Sequence, residues 1–223
     1  MALSQHPAPW TSQRLSEMIS KGVDWGELRR PVPDSPLAHT DGELRALVVA
    51  AQVTGLVLPA IGLLGGDLHR TLGGTNDPAR LTGDEPIPHL PIDIVRIIAD
   101  GERTSYFVAH CIARRSWFRH QIVGAFNAQF LGTWDVSPRC HPNDGKVDVI
   151  TVEADLGMRQ RRMARKRVLL GTHLPHPKIS IRQLSTIRIA FDQVTPLWLD
   201  GERWGEAVSI ELIVEPDALT VFV

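Results

Sequence analysis

The sequence has no apolar run that approaches the ~18 residues of a membrane-spanning helix, and its first fifteen residues lack the charged-then-apolar pattern of a secretory signal. An excess of one charge is also absent. Lys and Arg number 24 and Asp and Glu number 25, a formal net charge of −1, which excludes a generally basic nucleic-acid-binding protein. The only cysteines, Cys111 and Cys140, lie outside any C-x-x-C spacing, which favours free thiols in a reducing compartment. We therefore expect a cytoplasmic protein that does not bind nucleic acid.

A chain of 223 residues is long enough to bury the core of one large domain or of two small ones. Its first forty residues are expected to form an irregular arm. Residues 12–23 are a short helical candidate, and the stretch PVPDSP at residues 31–36 places three prolines in six positions. This arm is expected to lie over a domain instead of forming one.

A small α/β piece is expected next, over residues 41–77. Residues 42–53 predict a helix, because they combine good helix formers with apolar residues at i, i+3 and i+4. Residues 55–64 read as an apolar strand. Residues 66–74 predict a short helix that Asp67 caps and Gly73 ends. A helix, a buried strand and a second helix indicate a fragment of an α/β layer.

Strands dominate the sequence from residue 78 onward. Residues 75–89 are polar and turn-rich and mark a boundary, and two β-rich runs then flank Ala-Asp-Gly-Glu at residues 99–102, which is a hairpin signal. One helix is expected over roughly residues 157–170. Such close spacing of strands predicts an antiparallel sandwich or barrel. The further strand candidates are residues 121–136, 146–156, 178–191, 196–202, 207–215 and 218–223.

The stretch GLLGGDLHRTLGG, residues 62–74, has five glycines around an apolar run. Glycine-rich backbone at a helix start offers unpaired N–H groups and the positive end of a helix dipole, which suit phosphate. The stretch fits neither G-x-x-x-x-G-K-[ST] nor G-x-G-x-x-G. From spacing alone, a strand-to-helix turn is the simpler interpretation, so phosphate binding stays open.

Two further stretches carry carboxylates in turns. Asp200 and Glu202 in LWLDGERWG follow an apolar strand, where a carboxylate pair binds a metal or accepts a proton from a hydroxyl. Asp-Gly-Glu also occurs at Asp41 and at Asp100, where it indicates a helix start and a hairpin turn, so a plain turn is the alternative at Asp200. In PRCHPNDGKVDV, Asp144 and nearby carbonyls either enclose a hard cation such as Mg²⁺ or form an exposed Asn-Asp-Gly turn.

The run MRQRRMARKR has six basic residues in ten. On a helix, such a run lies against anionic lipid head groups or forms a solvated face. The first interpretation predicts peripheral contact of Arg159–Arg167 with the inner face of the membrane. His173 and His176 have the spacing of two metal ligands, but Pro175 disrupts the helix that would aim them together, so we interpret them as structural.

Taken in order, these motifs resemble the bacterial diacylglycerol kinase and sphingosine-kinase-like lipid kinase family over roughly residues 44–223. No single match is diagnostic, but the matches occur in the same order as in the family, which argues against similarity by chance. The matches are Gly66–Gly73 with G-N-D-[FL]-A-R-x-L-G, Ile92-Asp93 with a strand that begins I-D, Asn127-Ala128 with N-A-x-x-x-G, Pro138 through Asp144-Gly145 with P-x-x-x-x-x-D-G, Gly171–Pro177 with G-x-H-x-x-H-P, Leu199–Glu202 with L-D-G-E, and the closing run ALTVFV.

The resemblance implies an α+β fold class. A truncated α/β nucleotide-domain remnant, residues 41–77, would precede a large antiparallel β-sandwich domain, residues 78–223, as in diacylglycerol kinase-like and NAD kinase-like proteins. It also implies transfer of the γ-phosphoryl group of ATP to the hydroxyl of a lipid, with Mg²⁺ present, a reaction that depends mainly on positioning and charge neutralisation.

The resemblance further implies roles for individual residues. Glu202, helped by Asp200, would accept the proton of the lipid hydroxyl. The nucleotide side of the cleft would include Gly65, Gly66, Asp67 and Arg70. A structural Mg²⁺ in the β domain would be held by Asp144 with the carbonyls of His141 and Lys146.

The chain departs from the family pattern on the nucleotide side. The signature G-G-D-G-T, which holds the ATP triphosphate, is absent, and upstream of Leu47 we expect only the proline-rich arm. Leu64 and Gly66 replace the threonine and asparagine of G-T-G-N-D. Two functions remain open: a lipid kinase that completes its ATP site with another chain or an unusual loop, and a non-catalytic homologue that binds a lipid or a protein partner. The acceptor lipid and a homodimer also stay open.

Overall fold

The computed structural model describes residues 25–75, 77–173 and 175–223, and the helix expected within residues 12–23 lies outside them. The helices are α1 (Asp41–Thr54), α2 (Gly66–Thr71), α3 (Pro78–Thr82) and α4 (Met158–Val168). The strands are β1 (Glu27–Arg29), β2 (Leu37–Ala38), β3 (Ile61–Leu63), β4 (Ile87–Ala99), β5 (Arg103–Phe107), β6 (His110–Arg114), β7 (Ile122–Phe126), β8 (Phe130–Leu131), β9 (Trp134–Asp135), β10 (Val147–Val152), β11 (Ile179–Leu184), β12 (Thr186–Leu199) and β13 (Glu202–Phe222).

Eleven of the described strands form one sheet, and its main path runs β1-β4-β13-β12-β6-β7-β10-β11 with antiparallel pairing. β5 adds to β4, and β3 pairs in parallel with β13 and β2. Strands far apart along this path share one core, in which Val95 of β4 and Val149 of β10 belong to the same buried cluster as Leu197 and Leu212. The sheet therefore folds over on itself, which confirms the α+β class with a large antiparallel β-sandwich.

The tight turns follow local sequence. Asp100 (φ 53°) and Gly101 (φ 74°) join β4 to β5, so the hairpin predicted at residues 99–102 is confirmed. Asp200 (φ 50°) and Gly201 (φ 85°) join β12 to β13 in the same way. Two consecutive residues at positive φ are typical of the type I′ turn, whose twist matches that of the flanking strands.

Three segments differ from the sequence-based expectation. The last strand candidates merge into the long strands β12 and β13. Each strand continues through an irregularity in its pairing register, as between Glu215 and Leu219, instead of ending there. Residues 75–89 include α3, whose first turn Asp77 caps by accepting the Ala79 N–H at 3.0 Å. Only residues 61–63 of the apolar stretch 55–64 form a strand.

The predicted helix over residues 42–53 is confirmed as α1. Thr40 caps it by accepting the Glu43 N–H at 3.1 Å, and Gly55 ends it in the left-handed conformation. The predicted helix at α2 is also confirmed, and Gly73 follows it at φ 71°. The expectation that Asp67 caps α2 is wrong: Gly65 holds the N-cap position, and a carboxylate from another segment supplies the missing acceptor.

The N-terminal elements and the sheet share a core. Leu44 and Val48 of α1 pack in one buried cluster with Ile61 of β3, Ile92 of β4 and Val221 of β13. The domain division between residues 77 and 78 therefore stays a prediction.

Two composition-based expectations concern the described part of the chain. Cys111 and Cys140 are free thiols, as predicted, and burial raises the pKa of both. No described helix is long and apolar enough to cross a bilayer.

Candidate functional site

Asp200 is a buried carboxylate at the centre of the site. It lies in the β12–β13 turn and accepts three backbone N–H groups, from Val108 at 3.0 Å, Ala109 at 2.8 Å and His110 at 3.0 Å. Burial raises its pKa to about 6, against the lowering effect of His110 and of these N–H groups. Because all three donors precede or begin β6, Asp200 fixes the position of the His110 backbone.

His110 and Asp67 form a coupled pair beside it. The Nε2 atom of His110 lies 3.1 Å from Oδ2 of Asp67, and the Gly132 N–H also donates to that carboxylate, at 2.9 Å and 3.0 Å to its two oxygens. Burial is the largest single effect and opposes both charges, but hydrogen bonding and attraction to nearby opposite charges together outweigh it, so the pKa of Asp67 is lowered and that of His110 is raised. The pair therefore favours an imidazolium that donates to a carboxylate.

Asp41 supplies the acceptor at the start of α2. It is 7% exposed, and it accepts the N–H of Asp67 at 2.6 Å and that of Leu68 at 3.1 Å. Burial raises the pKa of Asp41, although these N–H groups lower it. The first donors of α2, which could otherwise face a phosphate, are thus already bonded to a carboxylate.

The glycines at the start of α2 allow this close approach. A side chain at Gly65 would meet the carbonyl oxygen of His39 at 2.5 Å, and one at Gly66 (φ 98°) would overlap the Asp41 carboxylate. Arg70, on the same helix, donates to the Gly132 carbonyl at 2.7 Å and stacks 3.9 Å above the Phe130 ring. In this structure these three predicted nucleotide-side residues make intramolecular contacts.

Glu202 joins the group through Arg45 of α1. Its exposed carboxylate forms an ion pair with Nη2 of Arg45, whose Nε lies 3.9 Å from Oδ2 of Asp200. Glu202 also borders the start of α1, because a side chain at Gly42 would meet its Oε1 at 3.0 Å. The structure therefore brings Asp67, Asp200 and Glu202 into one connected cluster.

The same cluster has the spacing to surround a cation. Among the described residues, only Asp41, Asp67 and His110 offer three side-chain ligand atoms within 4.8 Å of one another. The carboxylate oxygens of Asp41 and Asp67 already accept hydrogen bonds from Leu68, Gly132 and the imidazolium, whereas the buried Nδ1 of His110 has no partner among the described residues.

An open cleft of about 450 Å³ lies against the cluster. Its walls include His110 and Gly132, which contact Asp67, and Gly201, which precedes Glu202 in the chain. The carboxylates of Asp67 and Glu202 do not line the cleft themselves. Arg114 is stacked between Trp117 and Trp198, 4.3 Å from each ring, in the same wall.

An apolar cavity of about 130 Å³ continues from this cleft, beneath α4. Cleft and cavity share the wall residues Ile112, Trp117, Leu131, Trp134 and Arg165. The lining is almost entirely aliphatic and aromatic, and comes from β6, β7, β10, α4 and the β8–β9 hairpin. A cavity of this size and character is large enough for an apolar group about the size of benzene.

The predicted Mg²⁺ residues lie elsewhere in the sandwich. Asp144 accepts the Lys146 N–H at 3.0 Å, and burial raises its pKa, with the Asp148 charge adding to the effect. The His141 ring packs on Trp25 at 4.6 Å between centroids. Carboxylate and carbonyl oxygens are the donors that Mg²⁺ prefers, so this donor set fits the ion in kind. It is separate from the Asp67 cluster.

The sequence reasoning missed Asp41, Arg45 and His110 as site residues. Asp41 had a visible signal, because its Asp-Gly-Glu, in the first turn of α1, is the same tripeptide as at Asp200. Arg45 and His110 carry no motif, and only folding brings them to Asp200.

A protein family and several solved structures are similar to this chain. Residues 91–223, more than half of the chain, match the family model of the YegS C-terminal NAD kinase beta sandwich-like domain. No curated protein matches the sequence.

Three similar structures come from Bacillus anthracis str. Sterne. One is named a diacylglycerol kinase, with a TM-score of 0.59, 14% identity, and coverage of 83% of this chain and 74% of that one. Two others are described as diacylglycerol kinases only by provisional assignment. They have TM-scores of 0.62 at 13% identity, and they cover 82% and 83% of this chain and 75% and 76% of those chains. At these identities the likeness is one of fold.

Proposed function

We propose that this chain, which belongs to the family of YegS C-terminal NAD kinase beta sandwich-like domains, binds a lipid, with an acyl segment in the cavity beneath α4 and a hydroxyl in the cleft beside His110. The cavity carries this proposal. It is apolar, it continues into a cleft with polar walls, and the two share five lining residues. Pockets that combine an apolar lining with a few polar groups at one end suit amphiphilic ligands.

Filling the cavity tests lipid binding. Ala164 of α4 lines the cavity, so Ala164→Phe should weaken binding of dioctanoylglycerol about ten-fold or more. Trp117 and Trp134 lie in the cavity wall, so binding can be followed by tryptophan fluorescence. Ala50→Phe, on the exposed face of α1, is the matched control and should bind as the wild type does. Equal affinity of Ala164→Phe and the wild type would rule out the cavity as the lipid site.

Phosphoryl transfer to that lipid is a second candidate function, supported by the connected cluster of Asp67, Asp200 and Glu202. In this reaction the lipid O–H bond breaks and its proton passes to Glu202. The oxygen forms a bond to the γ-phosphorus of ATP, and the bond from that phosphorus to the bridging oxygen breaks, releasing ADP. Asp200 would position His110, and the His110–Asp67 pair would adjoin the developing charge.

The test measures transfer of labelled phosphate from ATP to dioctanoylglycerol with Mg²⁺. Glu202→Gln should abolish transfer and leave lipid binding unchanged, because Glu202 is exposed and outside the cavity lining. Binding of ATP, measured by calorimetry and lost in Asp67→Ala, would support the predicted nucleotide site at Asp67. Lipid binding without ATP binding or transfer would contradict the kinase function and leave the lipid-binding function standing.

Mg²⁺ is proposed to bind at Asp144, with the carbonyls of His141 and Lys146. Its bound charge would offset the repulsion that Asp148 exerts on Asp144. Millimolar MgCl₂ should raise the Tm of the wild type and not that of Asp144→Asn, while the exposed control Asp84→Asn should keep the response. An equal rise in all three proteins would contradict this site.

A further inference from the structure

Helix α4 presents an exposed face in which cations and large apolar side chains alternate. Arg159, Arg162, Arg165 and Lys166 line a shallow groove of about 720 Å³ together with Phe118 and Met163. These six residues are called the α4 surface below. Phe118 is 45% exposed and Met163 is 47% exposed, so both apolar side chains reach solvent within the basic face.

The charge of the α4 surface is unbalanced locally. No acidic group in the described part of the chain lies within 4.0 Å of its four cations, whereas Arg29, Arg188 and Arg203 each pair with a glutamate. The whole chain has a net charge of −1, so the excess of positive charge on this face is local and not a property of the whole chain. A basic face with interspersed apolar side chains is the pattern of helices that lie in a membrane interface.

The α4 surface also borders the apolar cavity. Phe118 and Arg165 line both the outer groove and the cavity, and Trp134, packed 5.2 Å from the Arg165 guanidinium, lines both as well. The inner side of the same helix contributes Ala164 and Val168 to the cavity wall. A partner on the outer face of α4 would therefore lie beside an edge of the cavity.

We propose that the α4 surface docks on an anionic lipid bilayer, with its cations at the head groups and Phe118 and Met163 at the acyl boundary. Docking in this orientation places the edge of the cavity at the bilayer, where a lipid can enter between Phe118 and Trp134. The entry route rests on the proposed lipid binding, whereas the docking does not.

The test compares vesicles of phosphatidylcholine with vesicles that also contain about 30% phosphatidylglycerol, in sedimentation assays at low salt. The full chain should bind only the anionic vesicles. Arg162→Glu with Lys166→Glu should weaken that binding about ten-fold or more. Arg30→Glu with Arg80→Glu is the matched control, because both arginines are exposed and lie outside α4. The control should bind as the wild type does.

Three results would overturn the proposal: equal binding to both vesicle types, equal loss in the two double variants, or binding to an acidic protein or nucleic acid without binding to vesicles. The readouts separate docking from the cavity function. Ala164→Phe should still sediment with anionic vesicles, and the α4 double variant should still bind soluble dioctanoylglycerol. If Ala164→Phe loses binding of dioctanoylglycerol but still sediments with anionic vesicles, docking is intact and only the cavity is blocked.

Discussion

At the scale of single residues, the tripeptide Asp-Gly-Glu shows how environment decides the role of a carboxylate. It occurs three times, and each aspartate accepts backbone N–H groups from distant segments. Asp100 does so on the surface, at the N–H groups of Val208 and Ser209. Asp41 and Asp200 are each 7% exposed, and they bond to donors within the candidate site. Their local sequences are the same, so only the surrounding fold separates a surface turn from a buried anchor.

The Asp67–His110 pair should make stability depend on pH. The raised pKa of His110 stabilises the fold below its ordinary value of 6.5 and ceases to do so as pH rises through the raised value. The lowered pKa of Asp67 stabilises the fold above its ordinary value of 3.8 and ceases to do so as pH falls. Asp67→Asn should therefore cost about 2 kcal/mol in the window between these values and less above it.

Urea unfolding at about pH 5.5 and about pH 9 measures this difference. Asp84→Asn, an exposed aspartate outside the cluster, should show little loss at either pH. A loss in Asp67→Asn that is the same at both pH values would mean that the pair is not charged as described.

Gly66 should tolerate substitution less well than a glycine of similar backbone conformation. Gly66→Ala puts a Cβ against the Asp41 carboxylate at φ 98°, so it should strain the backbone and disturb the α2 acceptor, at a cost of about 3 kcal/mol. Gly55→Ala, at φ 68° with nothing within 4 Å, should cost only about 1 kcal/mol. Urea unfolding compares the two, and equal losses would show that Asp41 moves aside freely.

At the scale of elements, α4 has a buried face that anchors it to the protein and an exposed face that is basic. Its inner face anchors the helix through Arg161, which is 6% exposed and donates to the carbonyls of Leu156 and Glu153 at 2.8 Å each and of His120 at 2.7 Å. The other basic residues of the helix face outward. The charge run at Arg159–Arg167 therefore contains one structural cation among exposed ones.

Arg161→Met should destabilise the protein by about 3 kcal/mol, because it removes the buried guanidinium that the carbonyls of Leu156, Glu153 and His120 share as a donor. The neighbouring change Arg162→Met alters an exposed side chain and should stay within about 0.5 kcal/mol of the wild type. Thermal and urea unfolding of both variants measure the contrast. Comparable stability of the two variants would contradict the anchoring role of Arg161.

At the scale of the whole molecule, the small N-terminal elements are built into the sandwich. β3 continues the sheet by pairing with Val221 and Phe222 of β13, and α1 packs Leu44 and Val48 into the core that includes Ile92. The candidate site lies at this junction, since Asp41 and Asp67 come from the N-terminal elements and His110 and Asp200 from the sheet. The site thus depends on both parts being folded together.

The described part of the chain should consequently unfold in one cooperative transition. Far-UV circular dichroism and fluorescence of the tryptophans, most of which lie in the β-rich part, should give coincident midpoints in urea. Val48→Ala, which leaves a cavity in the shared core, should lower both midpoints together and reduce the free energy of unfolding by about 2 kcal/mol. Two separate transitions would instead support independent units divided near residues 77 and 78.

The sequence by itself determined the local elements and their class. Turn chemistry at Asp100-Gly101, the 3.6-residue pattern of α1 and the dense β-rich runs each act over a few residues, so they could be read without the fold. The tertiary structure alone decided which carboxylates became buried, that Asp41 caps α2, that His110 meets Asp67, and that a cavity lies beneath α4. Those outcomes depend on contacts between distant segments, such as Asp200 and Val108, which are 92 residues apart, and burial changes the free-energy cost of each charge there.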